Sequence, residues 1–233
     1  MSGLGLNIGL KALLSARSSL DALGHNLANS NTPGYSRQNL SIQAGRPINL
    51  RGLGFGTGVD SSVITRSVDS LLERRIGLQV SSFGRLDARL SVLGQVEALF
   101  GEPGELGLNA RFEDFFSSLS SLSSSPDDTV LRVGVVQSTK GLTERFNELS
   151  RSLGNLGSDT RQQVELQAQQ VNILAGRILE LNRSIAQTEA SGTPANDLRD
   201  QRQEVLKGLS SYLNVNAVED QNGALRVSVG GRV

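Results

Sequence analysis

The stretch Asp159–Glu189, DTRQQVELQAQQVNILAGRILELNRSIAQTE, decides the fold class. Val164, Val171, Ile178 and Ile185 recur every seven residues, with Leu174 and Leu181 between them. An apolar spacing that alternates three and four keeps one seam on one side of a helix. β-Branched residues in one series and Leu in the other suit a two-stranded seam. Antiparallel packing within the chain satisfies the same pattern. Downstream, Gly192-Thr-Pro194 stops the segment and about Ala195–Leu213 forms a last helix. Upstream, Ser125-Pro-Asp-Asp128 is a helix start, because Asp favours the cap and first turn. The helix it opens covers about Asp127–Leu156 and carries Leu131, Val135, Leu142, Phe146, Leu149 and Leu153. A shorter helix over about Ala110–Ser124 carries Phe112, Phe115, Phe116, Leu119 and Leu122. A long one over about Ser67–Phe100 carries Leu72, Ile76, Phe83, Leu86, Leu90, Leu93 and Phe100, and Gly101-Glu-Pro-Gly104 breaks it. The expected bundle core is Leu86, Leu90, Leu93, Val171, Leu174, Ile178, Leu181 and Ile185.

The amino end is periodic too. Leu6, Leu13, Leu20 and Leu27 repeat every seven residues, and Ala16 and Leu23 fill a second series. A lone amphipathic helix of this length is marginal in water, so the stripe calls for a partner in this chain or another. Leu6, Leu13, Leu20, Leu23 and Leu27 are therefore the expected subunit-packing residues. Asn29 and Asn31 suit the end of that helix, and Pro33-Gly34 suits the centre of a type II turn. Residues 36–66 read as extended or irregular, with short strands. Val215–Gly223 followed by Leu225–Val229 reads as a β-hairpin turned by Asn222-Gly223. The expected fold is mainly α: a long antiparallel helical bundle or coiled coil, an N-terminal amphipathic helix, an irregular short-strand segment and a C-terminal β-hairpin. The expected divisions are 1–66, 67–213 and 214–233, the last truncated because a hairpin alone is marginal.

Composition narrows the function. The 233 residues allow one or two domains and a core that needs no staple. Lys+Arg and Asp+Glu are equal at 23 each, which argues against a nucleic-acid binder. Residues 1–66 carry six basic groups against two acids, an imbalance too mild to change that conclusion. The absence of Cys removes disulfides, thiolate metal sites and cysteine nucleophiles, and the single His25 leaves little for imidazole chemistry. No apolar run approaches the roughly 20 residues that span a bilayer, and no basic region precedes the first apolar residues as in a cleaved signal. Membrane insertion is not expected.

Four features invite a chemical reading, and each has a plainer one. Gly52-Leu-Gly-Phe-Gly-Thr-Gly58 lacks the third glycine of a dinucleotide fingerprint and the Lys-Ser/Thr of a P-loop, so a turn is favoured. His25 has no evident carboxylate or nucleophile beside it and reads as a helix-end hydrogen-bonding residue. Asp127 and Asp128 read as a cap rather than a metal site. The charges of Asp197, Arg199, Asp200, Arg202 and Glu204 form either a polar interface or, more simply, an exposed face with local ion pairs. No enzyme and no cofactor are expected.

Residues 26–38, NLANSNTPGYSRQ, follow the N-terminal helix and resemble the signature of bacterial flagellar rod, hook and hook-associated proteins. The matching positions are Asn26, Leu27, Ala28, Asn29, Thr32, Gly34, Tyr35, Arg37 and Gln38. Gly56–Arg66, Phe115–Leu119, Leu181–Ile185 and Asn196–Arg202 are similar, in order, to segments of the hook-associated protein 1 family. The resemblance implies a non-enzymatic structural subunit of the extracellular flagellum at the hook–filament junction, exported without a cleaved signal. It implies assembly in a ring of identical subunits between hook protein and hook-associated protein 3, and an export chaperone that engages a C-terminal region. It also implies an inner domain closed by a C-terminal helix, which the residues up to Val233 do not contain. The alternatives are another axial rod or hook subunit and a cytoplasmic coiled-coil adaptor.

Overall fold

The computed structural model describes residues 2–50, 52–101, 104, 107–220 and 223–230. In chain order the elements are α1 (Ser2–Ala28), β1 (Gln38–Ala44), β2 (Ile48–Leu50), β3 (Leu53–Phe55), β4 (Val59–Arg66), α2 (Ser70–Phe100), α3 (Leu108–Ser124), α4 (Thr129–Ala190), α5 (Asn196–Ser210), β5 (Val215–Glu219) and β6 (Leu225–Val229). The fold is mainly α, with a C-terminal hairpin, as the periodicity predicts. The chain forms two compact units, one from 1–82 with 171–233 and one from 83–170.

In the first unit, the short strands expected over 36–66 form two antiparallel pairs, β1 with β4 and β2 with β3. β1 pairs antiparallel with β4 from Gln38↔Arg66 to Ala44↔Val59, with a register shift at Gln43/Ala44. Beyond it, Gly45 N–H donates to Gly58 O at 2.7 Å and β2 pairs with β3 from Ile48↔Phe55. The core lies elsewhere. Ile178, Leu206 and Leu209 are buried together, with Val171, Leu174, Val205, Leu213, Val215, Ala217, Leu225 and Val227 against them. Leu181 and Ile185 are buried on the same helix. One face of the β5–β6 hairpin thus gains the packing that a two-stranded ribbon needs. Gly223 holds φ at 77° in its turn; Asn222, the other residue of the expected turn, lies outside the described residues.

In the second unit α3 runs antiparallel to the first part of α4. Phe112 meets Phe146 edge-on at 5.8 Å, and the hydroxyls of Ser118 and Ser138 hydrogen-bond at 2.7 Å. Arg145 Nη2 donates to the carbonyls of Leu99 and Phe100 at 2.8 and 3.3 Å, which satisfies helix-end acceptors of α2. Leu149 is buried here. Gly101 turns the chain at φ 66°; Glu102 and Pro103 of the expected break lie outside the described residues.

Two expectations are corrected. The helices expected over Asp127–Leu156 and Asp159–Glu189 are one helix of 62 residues. Gly157 does not break it: a glycine inside a helix costs only about 1 kcal/mol, which the flanking turns absorb. Leu86, Leu90 and Leu93, expected in the core, are 50, 69 and 50% exposed. α2 carries two apolar stripes, and in this unit its half-buried side holds Val92, Val96, Leu99 and Phe100 instead. Boundaries shift modestly. α2 starts at Ser70 because Asp69 Oδ1 accepts from the amides of Leu71 and Leu72 at 2.9 and 3.1 Å. Asp128 caps α4 in the same way, through Val130 and Leu131.

Candidate assembly surface on α1 and the loop that follows it

α1 is turned opposite to an ordinary amphipathic helix. The side that meets β1 and β4 carries Ile8, Lys11, Ser15, Ser18, Ala22, His25 and Asn29, of which only Ser15 and Ala22 are buried. The Ser15 hydroxyl is enclosed and, among the described residues, has no hydrogen-bond partner. The other side carries Leu6, Leu13, Leu20, Leu23 and Leu27 at 77, 71, 68, 57 and 77% exposure. Leu10 and Leu14 join them. Apolar residues scattered singly on a surface are ordinary, but these seven form one continuous exposed ridge.

The loop after α1 is tightly bonded. Tyr35 N–H donates to Thr32 O at 3.2 Å and Gly34 has φ 77°, which together make the type II turn read from Pro33-Gly34. Asn29 Nδ2 donates to His25 O, and Thr32 Oγ1 donates to Asn29 Oδ1. Asn26 is the centre of the arrangement. Its Nδ2 donates to Gln38 O, its Oδ1 accepts from Gln38 N–H, and the Tyr35 hydroxyl donates to the same oxygen at 2.7 Å. Burial and then the charges of Asp197 and Asp200 push the Tyr35 phenol above its ordinary pKa. Arg37 is exposed, and its carbonyl accepts from Ser67 N–H at 2.8 Å. Of the motif residues, Leu27 and Ala28 point to solvent and the rest build the turn and its bonds.

The remaining anchors come from α5. Ser36 N–H donates to Asp200 Oδ2 at 2.8 Å, and Arg66 donates to Asp200 Oδ1 at 2.6 Å. Gln38 Nε2 donates to Asp197 Oδ1 at 2.7 Å, and His25 Nε2 lies 3.7 Å from Asp197 Oδ2. Asn196 Nδ2 donates to Ile64 O. The exposed charged face expected over 197–204 is therefore partly an interior one: Asp200 and Arg202 are 5 and 3% exposed. His25, read as lacking a carboxylate partner, finds one 172 residues away in Asp197. Nothing in the local sequence gives that distance; the only hint is that these acids fall within the Asn196–Arg202 segment.

A second network fastens the C-terminal hairpin. Arg202 Nη1 donates to Asn182 Oδ1 and to Gly223 O, both at 2.7 Å, and its Nη2 reaches Glu219. Burial lowers the Arg202 pKa, against the pull of Glu219, and the guanidinium stays charged. Arg199 bridges Glu189 and Glu219. Its hydrogen bond holds the Glu189 carboxyl below its ordinary value, while Glu189 raises Arg199 in return.

These groups are paired with one another in holding the chain. Among the described residues no three His, Cys, Asp or Glu side chains cluster as metal ligands, and no helix is long and apolar enough to cross a membrane.

The flagellar hook-associated protein FlgK helical domain matches residues 93–233. A flagellar hook-associated protein 1 from Bacillus subtilis (strain 168) is 30% identical over 227 residues, covering 94% of this chain and 45% of that protein. The proteins of that name from Salmonella typhimurium and Escherichia coli (strain K12) are 25 and 24% identical, with 96% of this chain and 41% of theirs covered. The chain thus spans less than half the length of the curated relatives it matches. With more than half of its residues matched, it belongs to the family of the flagellar hook-associated protein FlgK helical domain.

Proposed function

We propose that the protein is a structural subunit of the bacterial flagellum that forms the junction between hook and filament and assembles through the outer face of α1. One observation carries this reading: the leucine ridge is exposed while the Ser- and Ala-bearing side of the same helix is covered. The relatives' name, flagellar hook-associated protein 1, supports the place. Each leucine covered on assembly contributes roughly 1.5–3 kcal/mol before entropy is subtracted. The energy for joining subunits is thus held on a preformed surface.

The proposed partners are identical subunits in a ring, hook protein on one side and hook-associated protein 3 on the other. A flagellar export chaperone would engage a C-terminal region. The proposed location is extracellular, after export without a cleaved signal, and the role is non-enzymatic, with neither nucleic acid nor membrane insertion. In this reading residues 1–66 belong to the inner axial domain, 67–213 to a helical domain and 214–233 to the start of a further segment.

Leu13→Asp and Leu20→Asp test it. Both sites are exposed, so the helical circular dichroism and melting profile of the isolated protein should not change. Complementation of a strain lacking the gene should fail, with no protein at the hook tip. Normal motility with both variants would overturn the proposal.

A further inference from the structure

We infer that α5 is a latch that sets the direction in which α1 presents its leucines, with Asp200 as the positioning residue. The functional meaning of the latch rests on the docking role of that outer face; its geometry does not.

Apolar packing gives α1 little hold on its own unit. Its covered side buries Ala22 and Ser15, and the hydroxyl of the latter lacks a partner among the described residues. A dense group of polar bonds lies at the C-terminal end of the helix. Asn26 grips Gln38, and Tyr35 closes on Asn26. Those bonds join α1 to Tyr35 of its loop and to Gln38 at the start of β1, and His25 Nε2 lies 3.7 Å from Asp197 Oδ2 on α5. The loop is joined to the body of the unit by α5.

Asp200 carries that connection because its two oxygens serve two separate segments. Oδ2 accepts from Ser36, two residues before β1, and Oδ1 accepts from Arg66 at the end of β4. The approach to β1 and the end of β4 are thereby tied to one carboxylate. Asp197, one turn earlier, takes Gln38, and Asn196 takes the carbonyl of Ile64. Charge-assisted bonds to a carboxylate are the strong ones, and a buried carboxylate tolerates no vacancy among its partners. α5 can serve as the fixed side because Leu206 and Leu209 are buried on it and Arg202 ties it to Asn182.

The chain contains no cysteine, so paired spin labels can be placed at will. Arg17→Cys on α1 and Arg226→Cys on β6 are suitable sites, with side chains 80 and 81% exposed. Pulsed electron paramagnetic resonance on the labelled full chain reads the distribution of distances between them. The parent, Arg66→Lys and Leu13→Asp should give one narrow distribution. Asp200→Ala should broaden or split it while the main melting transition stays in place, which a loss of general stability would not do. Gln38→Leu removes the Asp197 bond without stranding a buried cation, and it decides the matter if Asp200→Ala does not fold. Narrow distributions in Asp200→Ala and Gln38→Leu would overturn the latch. No filament enters the measurement, so this failure is distinct from a failure of Leu13→Asp to block assembly.

Discussion

The carboxamide of Asn26 holds both backbone polar groups of Gln38, donating to its carbonyl and accepting from its amide, each at 2.8 Å. Asn182 does the same to Leu225, with both bonds at 3.0 Å. In each case a helix side chain stands where a neighbouring strand would be. An amide side chain suits the task because it carries a donor and an acceptor side by side, as a peptide group does. Each ribbon is thereby registered against a helix at one residue, and its edge is satisfied there without another strand.

Truncating Asn26 should loosen one point rather than the whole unit. Asn26→Ala leaves the Gln38 amide and carbonyl without their partner, and unsatisfied groups of this kind cost about 1–3 kcal/mol each. The expected outcome is exchange of the Gln38 amide proton faster by one to two orders of magnitude, with core amides of α4 near Ile178 unchanged. Asn182→Ala should do the same to Leu225 and, because it also removes an acceptor of the buried Arg202, should cost more overall stability than Asn26→Ala. Hydrogen exchange resolved to single residues checks both.

Gly34 should tolerate no side chain. Its φ of 77° already disfavours one, and a Cβ there would run into Cγ of Glu204. Gly34→Ala should therefore cost about 1–3 kcal/mol from the backbone, plus a steric part. Glu204→Ala in the same chain should recover the steric part and not the backbone part. A double-mutant cycle on urea unfolding separates the two.

The sequence made the helices and the closing hairpin legible because their periods are local properties. The Pro33-Gly34 turn was legible for the same reason, since proline fixes one φ and glycine allows the next. The charged stretch 197–204 was not. An acid that caps nothing locally looks solvated, and only the fold reveals that Asp200 faces Ser36 and Arg66. The buried side of α2 was illegible for a different reason. Both of its stripes are apolar, and a period gives the angle between residues but not the direction of the neighbour. α1 reverses the usual rule altogether, so its leucines were legible as a surface in need of cover while the side it buries was not.

Two helix residues that periodicity alone places in the core lead to opposite expectations. Leu90 is 69% exposed, so Leu90→Ala should change stability by no more than about 0.5 kcal/mol. Ile185 is fully enclosed, and Ile185→Ala should cost about 2–5 kcal/mol through lost burial and the cavity left behind. Thermal melts of the two variants against the parent distinguish them directly.

Gly157 marks the place where a helix end was expected and none occurs. A Cβ there would meet nothing within 4 Å. Gly157→Ala should therefore stabilise the long helix by up to about 1 kcal/mol, the propensity difference between the two residues. The measurement is the urea midpoint of the chain together with exchange protection around residue 157. A loss of stability would mean that the isolated unit depends on bending at that point.

Acid should weaken the fastening of the β5–β6 hairpin before it unfolds the rest. The Arg199 hydrogen bond holds the Glu189 carboxyl below its ordinary value of 4.5, with burial acting in the opposite direction. The folded pKa is the lower one, so the unfolded state takes up the proton first as pH falls. The contribution of Glu189 is accordingly full above 4.5 and is lost as pH drops through the folded value. Arg199 and Arg202 keep their charge throughout that range and add no slope of their own. The expected result is exchange protection of β5 and β6 that is flat between neutrality and about pH 5.5 and then declines. Glu189→Gln should start with less protection and show a shallower decline, the two proteins converging at low pH. If the variant declines as steeply as the parent, another carboxylate carries the acid sensitivity.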